Sequence, residues 1–305
     1  MAKPLVIGSR GSELALWQAR HVAALLEELG RTSEIRIIKT TGDKIRDVSL
    51  AQVGKQTNTK GVFTKEIEEA LLAGTIDLAV HSLKDLPTEL PAGLTIAVTP
   101  EREDARDALV GKRLEQIEAG HRIGTSSLRR SAQIRALCPG VEILDIRGNV
   151  GTRLSKLDAG QYDAILLASA GLKRLKLDDR IAESLVPEKM APAVGQGALG
   201  IEIREGDSEV GEALAPLDHP STRREVEAER TLLDRLGGGC QVPLGAYAVL
   251  RGGVVHLQAA VVSADGGTVI RAEEEGEDSV ELGERTAEKL LAAGAAKLIE
   301  EAYAG

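Results

Sequence analysis

At 305 residues, the chain is too long for one small hydrophobic core, so two or three domains are expected. A formal net charge of −9, with only one Trp, one Phe and three Tyr, disfavours nucleic-acid binding, which needs a basic face and aromatic stacking surfaces. No segment approaches the ~20 apolar residues of a membrane span, and residues 1–4 lead into an apolar run without a signal-peptide pattern. The sequence therefore predicts a cytoplasmic protein that does not associate with membranes.

The first hundred residues predict alternating strands and helices. A short apolar run at residues 5–8 indicates a strand, and Ser12 is placed to cap a helix over residues 13–29. A second helix is predicted at residues 65–73 and a buried strand at 76–80. Such alternation favours an α/β fold with much parallel sheet.

The same order of elements recurs in the next stretch. Residues 73–79 (Ala-Gly-Thr-Ile-Asp-Leu-Ala) have a counterpart in residues 159–165 (Ala-Gly-Gln-Tyr-Asp-Ala-Ile), and each phrase follows a predicted helix and opens a strand. We therefore predict two similar α/β lobes, although short strand–turn–helix phrases also recur by chance in α/β proteins. Further elements predicted here are a strand ending at 122–124, a helix at 128–137, a strand at 141–146 and a helix capped by Thr152.

The C-terminal third has a different pattern. Residues 191–198 read as a crossing segment, and 199–203 as a strand that returns to the first lobe. We predict lobe 1 at residues 1–98 plus about 195–215, lobe 2 at 103–191, and a small α+β domain at 219–305. The elements predicted in this last domain are a helix at 223–236, strands at 244–250, 254–262 and 269–273, and a final helix at 284–302.

Arginines stand at several predicted helix starts. Arg10, Arg129, Arg130 and Arg153 all lie there, although a cation at a helix N-terminus opposes the macrodipole by roughly 0.3–1 kcal/mol. This repeated mismatch predicts anion binding by guanidinium and backbone N–H groups together. Arg129 and Arg130 diverge by about 100° on a helix, so they can hold two different carboxylates. The alternative is internal ion pairing with the many Asp and Glu residues.

Four further residues draw attention. Lys84 and Asp85 follow a buried strand, where Asp85 is either a tuned acid–base group or a turn residue. Cys240 follows three glycines at 237–239, which leaves it on uncrowded backbone, although a single cysteine is often a small buried hydrophobe. Cys138, before a proline at a helix end, is expected to be structural. Two cysteines so far apart predict neither a disulfide framework nor a zinc site.

Seven short motifs follow one another between residue 8 and about residue 245. In chain order they are Arg10-x-Ser12-x-Leu14-Ala15-x-Trp17-Gln18, His81-Ser82-Leu83-Lys84-Asp85-Leu86-Pro87, Gly124-Thr125-Ser126-Ser127-Leu128-Arg129-Arg130, Arg147-Gly148-Asn149-Val150-x-Thr152-Arg153-Leu154, Ala170-Gly171-Leu172-Lys173-Arg174, Val194-Gly195-Gln196-Gly197-Ala198 and Gly239-Cys240. In this order they resemble the porphobilinogen deaminase (hydroxymethylbilane synthase) family. One departure is that residues 55–59 intervene where many members have almost none, which predicts a lid.

The resemblance implies a fold and an activity. The two lobes would be similar to bilobal periplasmic binding proteins, followed by a third domain. A dipyrromethane cofactor, assembled from substrate, would be joined by a thioether to Cys240. A monomeric transferase of tetrapyrrole (heme) biosynthesis would deaminate four porphobilinogen molecules in turn, join them head to tail, and release linear hydroxymethylbilane by hydrolysis.

The resemblance also implies roles for individual residues. Asp85 matches the catalytic Asp, whose carboxylate would stabilise the cation formed as ammonia leaves and shuttle its proton. Cofactor contacts are implied for Ser82, Lys84, Thr125, Ser127, Arg129, Arg130, Arg153 and Gly171. Substrate contacts are implied for Arg10, Ser12, Phe63, Arg147, Arg153, Arg174 and Gln196. No metal is implied, and each pyrrole's acetate and propionate explain the many arginines.

Other functions compete with this prediction. A non-catalytic bilobal binding protein for an anionic small molecule would explain the lobes and arginines, but it would not explain Cys240 or the third domain. A ligand-sensing regulatory domain fits less well, because the chain is acidic and shows no helix-turn-helix. A catalytically inactive relative would retain the same motifs.

Overall fold

The computed structural model describes residues 3–40, 64–237 and 242–304. In chain order the strands are β1 (Leu5–Ser9), β2 (Ser33–Ile37), β3 (Leu78–Ser82), β4 (Leu94–Val98), β5 (Asp107–Val110), β6 (Arg122–Gly124), β7 (Glu142–Leu144), β8 (Ala164–Ala168), β9 (Ile181–Leu185), β10 (Leu199–Arg204), β11 (Leu244–Arg251), β12 (Val254–Val262) and β13 (Val269–Gly276). The described α-helices are α1 (Glu13–Glu28), α2 (Lys65–Leu72), α3 (Leu128–Leu137), α4 (Val150–Asp158), α5 (Ser169–Arg174), α6 (Ser208–Leu214), α7 (Pro220–Arg235), α8 (Ser279–Ala292) and α9 (Ala295–Ala304). None of these helices is long and apolar enough to cross a membrane.

The chain divides into two compact units. Unit 1 comprises Met1–Arg102 and Ala198–Arg223, and unit 2 comprises Glu103–Gly197 and Arg224–Gly305. Two five-stranded sheets and one three-stranded sheet, interleaved with helices, confirm the predicted α/β class with a small C-terminal α+β part.

Unit 1 is built on the sheet β2-β1-β3-β10-β4, in which β1 runs parallel to β2 and β3 while β10 is antiparallel to its neighbours. Helix α1 buries Val22 and Leu26 on one face of this sheet. Helix α2 buries Ile67 and Leu71 on a second cluster that includes Val6. Apolar residues at helical spacing thus cover a sheet whose central strands are buried, as its parallel strands require.

Unit 2 contains a sheet of the same design, in the order β7-β6-β8-β5-β9, with β6 parallel to β7 and β8 and with β5 antiparallel to its neighbours. The repeated sequence phrase (residues 73–79 and 159–165) occupies equivalent positions in the two five-stranded sheets. Asp77 N donates to Val6 O at 2.8 Å and its carboxylate accepts from Val6 N at 2.8 Å; Asp163 makes the same pair of bonds with Arg122, at 2.8 Å each. The repeat is therefore structural, because both aspartates attach the start of one central strand to the next.

The rest of unit 2 is an antiparallel sheet, β11-β12-β13, with a hydrophobic core of its own that includes residues of α7, α8 and α9. Strand β11 approaches the segment before residue 198 very closely: Ala246 N donates to Pro192 O at 2.9 Å. A Cβ on Gly245 would stand 2.2 Å from Ala191 O, so this contact requires glycine.

Several predicted boundaries are wrong, three of them for identifiable reasons. Helix α4 begins three residues early, with Asn149 rather than Thr152 at the N-cap position. The predicted final helix is two helices, because Gly294 has φ +97° between α8 and α9, a conformation that favours glycine and ends a helix. The strand predicted at 76–80 lies at 78–82, since β3 pairs with β10 through Ser82 and Leu199.

Candidate functional site

In unit 1, the predicted site residues follow two adjacent parallel strands. Arg10 and Ser12 follow β1, and Ser82 ends β3, with Lys84 and Asp85 directly after it. Because the carboxyl ends of parallel strands meet at one edge of a sheet, these predicted site residues all lie at that edge. Ser12 caps α1 by accepting a hydrogen bond from Ala15 N at 3.3 Å, as predicted.

Asp85 lies on a short 3-10 turn (Leu83–Asp85), and the residues on either side of Lys84 and Asp85 are anchored in the hydrophobic core. Leu83 and Leu86 are 1% and 3% exposed, and Leu83 N donates to Ala198 O at 3.0 Å. Between these anchors Lys84 is half-buried and Asp85 is exposed. The turn therefore presents the carboxylate of Asp85 to solvent on a fixed backbone, which suits an acid–base group and costs little desolvation.

In unit 2, the predicted site residues follow the equivalent strands. Thr125 is buried directly after β6 and accepts from Ser127 N at 3.2 Å. Ser127 caps α3 by accepting from Arg130 N at 3.4 Å. Gly171 is buried inside α5, which follows β8. Each unit thus places several of its predicted site residues at the carboxyl ends of two central strands.

Arg129 and Arg130 lie in the first turn of α3, as predicted, yet both contact one carboxylate rather than two. Arg129 Nη1 donates to Asp107 Oδ2 at 2.5 Å, and Arg130 donates to Asp107 Oδ1 from Nη2 at 2.7 Å and from Nε at 2.9 Å. The two arginines are 5% and 7% exposed, and Asp107 is 0% exposed. The internal ion pair left open by the sequence is therefore formed. We call these three residues the Arg–Asp cluster.

Gln196 and Arg174 are buried beside the same segment of unit 2. Gln196 Nε2 donates to Asp107 Oδ1 at 3.0 Å and to Ala105 O at 2.7 Å. Arg174 Nη2 donates to Gly197 O at 2.7 Å. Burial lowers the pKa of Arg174 to about 10, although the negative charge of Glu103 opposes this shift. Arg174 is thus a cation kept in a poorly solvated place, where an anionic ligand would be favoured.

Arg147 and Arg153 belong to the loop and helix that follow β7, and both are partly exposed. Arg147 Nε donates to Asp145 Oδ2 at 2.7 Å, and Arg153 Nε donates to Gly148 O at 2.8 Å. Arg153 lies in the fourth position of α4 rather than next to its cap. Its predicted place at the helix start is accordingly shifted by one turn.

Two predicted site residues, Phe63 and Cys240, lie outside the described residues, as does the insertion at 55–59. Cys138 lies at the end of α3, partly buried against a hydrophobic cluster, and burial raises the pKa of its thiol. This environment fits the structural role predicted for Cys138. Within residues 3–40, 64–237 and 242–304, no group of three His, Cys, Asp or Glu side chains could hold a metal ion.

One buried polar cluster escaped the sequence analysis. His81 Nε2 lies 3.0 Å from Glu202 Oε2 across β3 and β10, and Glu68 on α2 is 7% exposed nearby. Within the described ranges neither Glu68 Oε1 nor Glu202 Oε1 has a hydrogen-bond partner. Burial raises the pKa of Glu68, although the nearby hydroxyl of Thr64 opposes the shift. The only local signal was a charged residue on the apolar face of α2.

The Glu68→Gln variant should be more stable than the wild type at pH 8 but not at pH 5. The folded protein binds the Glu68 proton more tightly than the unfolded chain does, so this contribution is present at low pH and is lost as pH rises through the raised pKa. Removing a buried charge near Glu202 should raise the melting temperature at pH 8 by about 2 °C or more. Thermal unfolding of the wild type and of Glu68→Gln at both pH values tests this expected difference. Glu69→Gln, on the exposed face of α2, is the control. An equal difference at both pH values would contradict it.

The chain is similar to known proteins along nearly its whole length. A family model described as "Porphobilinogen deaminase, dipyromethane cofactor binding domain" matches residues 5–212, and one described as "Porphobilinogen deaminase, C-terminal domain" matches residues 223–292. The porphobilinogen deaminase of Syntrophobacter fumaroxidans is 50% identical over 304 residues (97% of each chain). That of Pelobacter propionicus is 50% identical over 307 residues (99% of this chain, 98% of the relative). A solved periplasmic substrate-binding protein of an ABC transporter from Coxiella burnetii is 12% identical, with a TM-score of 0.43, and the similarity covers 72% of this chain and 94% of that one.

Proposed function

The chain belongs to the porphobilinogen deaminase family, and on that premise we propose how its residues carry out the family's reaction. The protein is a transferase of tetrapyrrole biosynthesis. It deaminates four porphobilinogen molecules in turn, joins them head to tail on a dipyrromethane primer, and releases linear hydroxymethylbilane by hydrolysis. Family membership does not favour the alternative of a non-catalytic binding protein.

The charge of the Arg–Asp cluster fits the cofactor. Two buried guanidinium groups, those of Arg129 and Arg130, face one buried carboxylate, that of Asp107, so the cluster keeps a net positive charge. Two buried guanidinium groups side by side attract carboxylates, so a ligand carboxylate would be favoured beside them. Dipyrromethane carries acetate and propionate groups, which supply such carboxylates. When bound, it provides the pyrrole end on which the chain grows.

The unit 2 residues would hold the cofactor. Arg129 and Arg130 would bind its carboxylates, while Thr125, Ser127 and the buried backbone at Gly171 would accept or donate hydrogen bonds around it. The thioether would be formed by Cys240. Arg174 and Gln196 would contact the substrate end of the chain, with Arg147 and Arg153 on the more exposed loop. Buried guanidinium groups bind carboxylates strongly because their hydrogen bonds are charge-assisted and poorly screened.

The unit 1 residues would act on the substrate. Arg10 and Ser12, beside the N-terminus of α1, would bind a porphobilinogen carboxylate, since backbone N–H groups there also favour anions. Asp85, presented on its fixed turn, would stabilise the positive charge that develops as ammonia leaves and would carry the proton. Ser82 and Lys84 would contact the cofactor from the same turn, and Phe63 would lie over a pyrrole ring.

Further proposals concern the protein as a whole. We propose three domains, at residues 1–98 plus about 195–215, 103–191 and 219–305, a division supported by three separate sheets. We also propose a cytoplasmic monomer that binds no nucleic acid, as the family and the acidic composition indicate. Size-exclusion chromatography with light scattering should give the mass of one chain, 32.2 kDa.

Intact mass spectrometry tests the proposed attachment. The denatured wild type should carry an added mass equal to two porphobilinogen residues after loss of ammonia, and the Cys240→Ser variant should carry none. If the wild type is unmodified, it is incubated with porphobilinogen and weighed again, which separates apo-protein from a protein unable to bind the cofactor. A Cys138→Ser control should keep the added mass. The same adduct on Cys240→Ser would contradict attachment at Cys240.

A further inference from the structure

Asp107 occupies an unusual place for a carboxylate. It opens β5, whose other residues, Ala108, Leu109 and Val110, are buried and apolar, and it is itself 0% exposed. It pairs with Ala168, the last residue of β8, because β5 runs antiparallel to β8. The topology therefore brings Asp107 to the edge of the sheet where β6 and β8 end, next to the proposed cofactor residues.

Both oxygens of the Asp107 carboxylate accept hydrogen bonds from neighbouring side chains and so orient them. Oδ2 accepts from Arg129, whereas Oδ1 accepts from Arg130 and from Gln196. Backbone carbonyls complete the arrangement: Arg129 Nη1 also donates to Ala191 O at 2.7 Å, and Arg130 Nη1 donates to Leu166 O at 3.2 Å. Each guanidinium group is thus held both by the shared carboxylate and by a backbone carbonyl, so loss of Asp107 would remove a restraint common to the two.

The shared carboxylate also reduces the electrostatic repulsion between the two arginines. Two guanidinium groups held side by side in a buried site repel each other, and the repulsion is poorly screened there. With one carboxylate between them, the two guanidinium groups can be packed closely. The positive charges of Arg129 and Arg130 outweigh burial and hold the pKa of Asp107 well below its usual range, so it stays ionised.

We propose that Asp107 is a positioning residue, which holds the guanidinium groups of Arg129 and Arg130 in the one orientation that receives a carboxylate of the cofactor. This inference rests on the proposed role of those arginines. It gives Asp107 no contact with the ligand: its effect passes entirely through the two arginines. Misplacing a binding group by about 1 Å can cost a hundredfold in rate, so loss of this restraint should be visible in the rate of cofactor uptake.

The test measures how fast apo-protein, expressed without a source of porphobilinogen, gains the cofactor mass when porphobilinogen is added. We expect Asp107→Asn to take it up at least about tenfold more slowly than the wild type at a temperature where circular dichroism shows both to be folded. Asp107→Glu, which keeps the charge but displaces the carboxylate by one methylene, provides a second variant if the first does not fold. A role in charge balance alone would leave Asp107→Glu at the wild-type rate, which would overturn positioning.

Asp163→Asn is the matched control. Asp163 also binds an arginine, Arg122, and hydrogen bonds from that residue lower its pKa to about 2, but it lies before β8 at the opposite edge of the same sheet. It should lose stability yet take up the cofactor at the wild-type rate. If Asp107→Asn and Asp107→Glu also take up the cofactor at the wild-type rate, Asp107 has no positioning role, while the proposed role of the two arginines is unaffected. If the wild type itself gains no mass, the proposed function fails, and this inference fails with it.

Discussion

The Asp85→Asn variant is expected to fold normally and to carry the cofactor, but to turn over porphobilinogen about a thousandfold more slowly than the wild type. The proposed carboxylate moves a proton, which typically contributes about 10²–10⁴-fold in rate, and it stabilises a developing cation, for which one stabilising group typically contributes about 10²–10³-fold. Asn has nearly the same shape but carries no charge and cannot exchange the proton. Because Asp85 is exposed between the buried Leu83 and Leu86, the change should hardly affect packing.

Steady-state assays of porphobilinogen consumption test the expected loss of turnover. Melting temperature and intact mass are measured on the same samples. Glu28→Gln is the matched control, since Glu28 is an exposed carboxylate at the far end of α1 and its loss changes the net charge equally. That variant should keep wild-type turnover. An Asp85→Asn protein with normal mass and more than a tenth of wild-type turnover would remove Asp85 from the catalytic role.

Local signals allowed much of the fold to be predicted. The Ser12 cap and the apolar spacing of α1 act within a few residues, and the repeated phrase marks the start of a strand in each lobe, so the sequence shows them directly. The break at Gly294 and the cap at Asn149 were missed because Thr152 and the continuous apolar pattern after residue 284 gave competing local signals of similar strength.

The contacts that could not be predicted join distant segments. Arg129 and Asp107 are 22 positions apart, and they meet because β5 enters its sheet antiparallel beside β8, which no residue pattern announces. His81 and Glu202, 121 positions apart, meet for the same reason across β3 and β10. The available signal was modest: a charged residue within or beside an apolar strand requires a partner, but the sequence does not identify it.

Arg130→Gln is expected to reduce cofactor uptake by about 30-fold to several thousandfold. Truncating one partner of a buried, hydrogen-bonded charge pair typically costs 2–5 kcal/mol in binding, which corresponds to that range. Without Arg130 the cluster loses one of its two cations, and Arg129 remains paired with Asp107. A ligand carboxylate would therefore be bound less strongly. Asp107 keeps Arg129 and Gln196 as partners, so the variant should still fold.

Arg130→Lys should fall between the wild type and Arg130→Gln, since lysine keeps the charge but lacks the planar fork that donates from Nε and Nη2 to Asp107. Arg135→Gln on the same helix is the control: Arg135 donates to Ala264 O at 2.8 Å on the exposed side of α3, and its loss changes the net charge equally. The rate of adduct formation, followed by intact mass, should therefore rank wild type and Arg135→Gln first, Arg130→Lys next and Arg130→Gln last. Equal rates for Arg130→Gln and Arg135→Gln would mean that the protein's overall charge, rather than the buried cluster, draws the cofactor in.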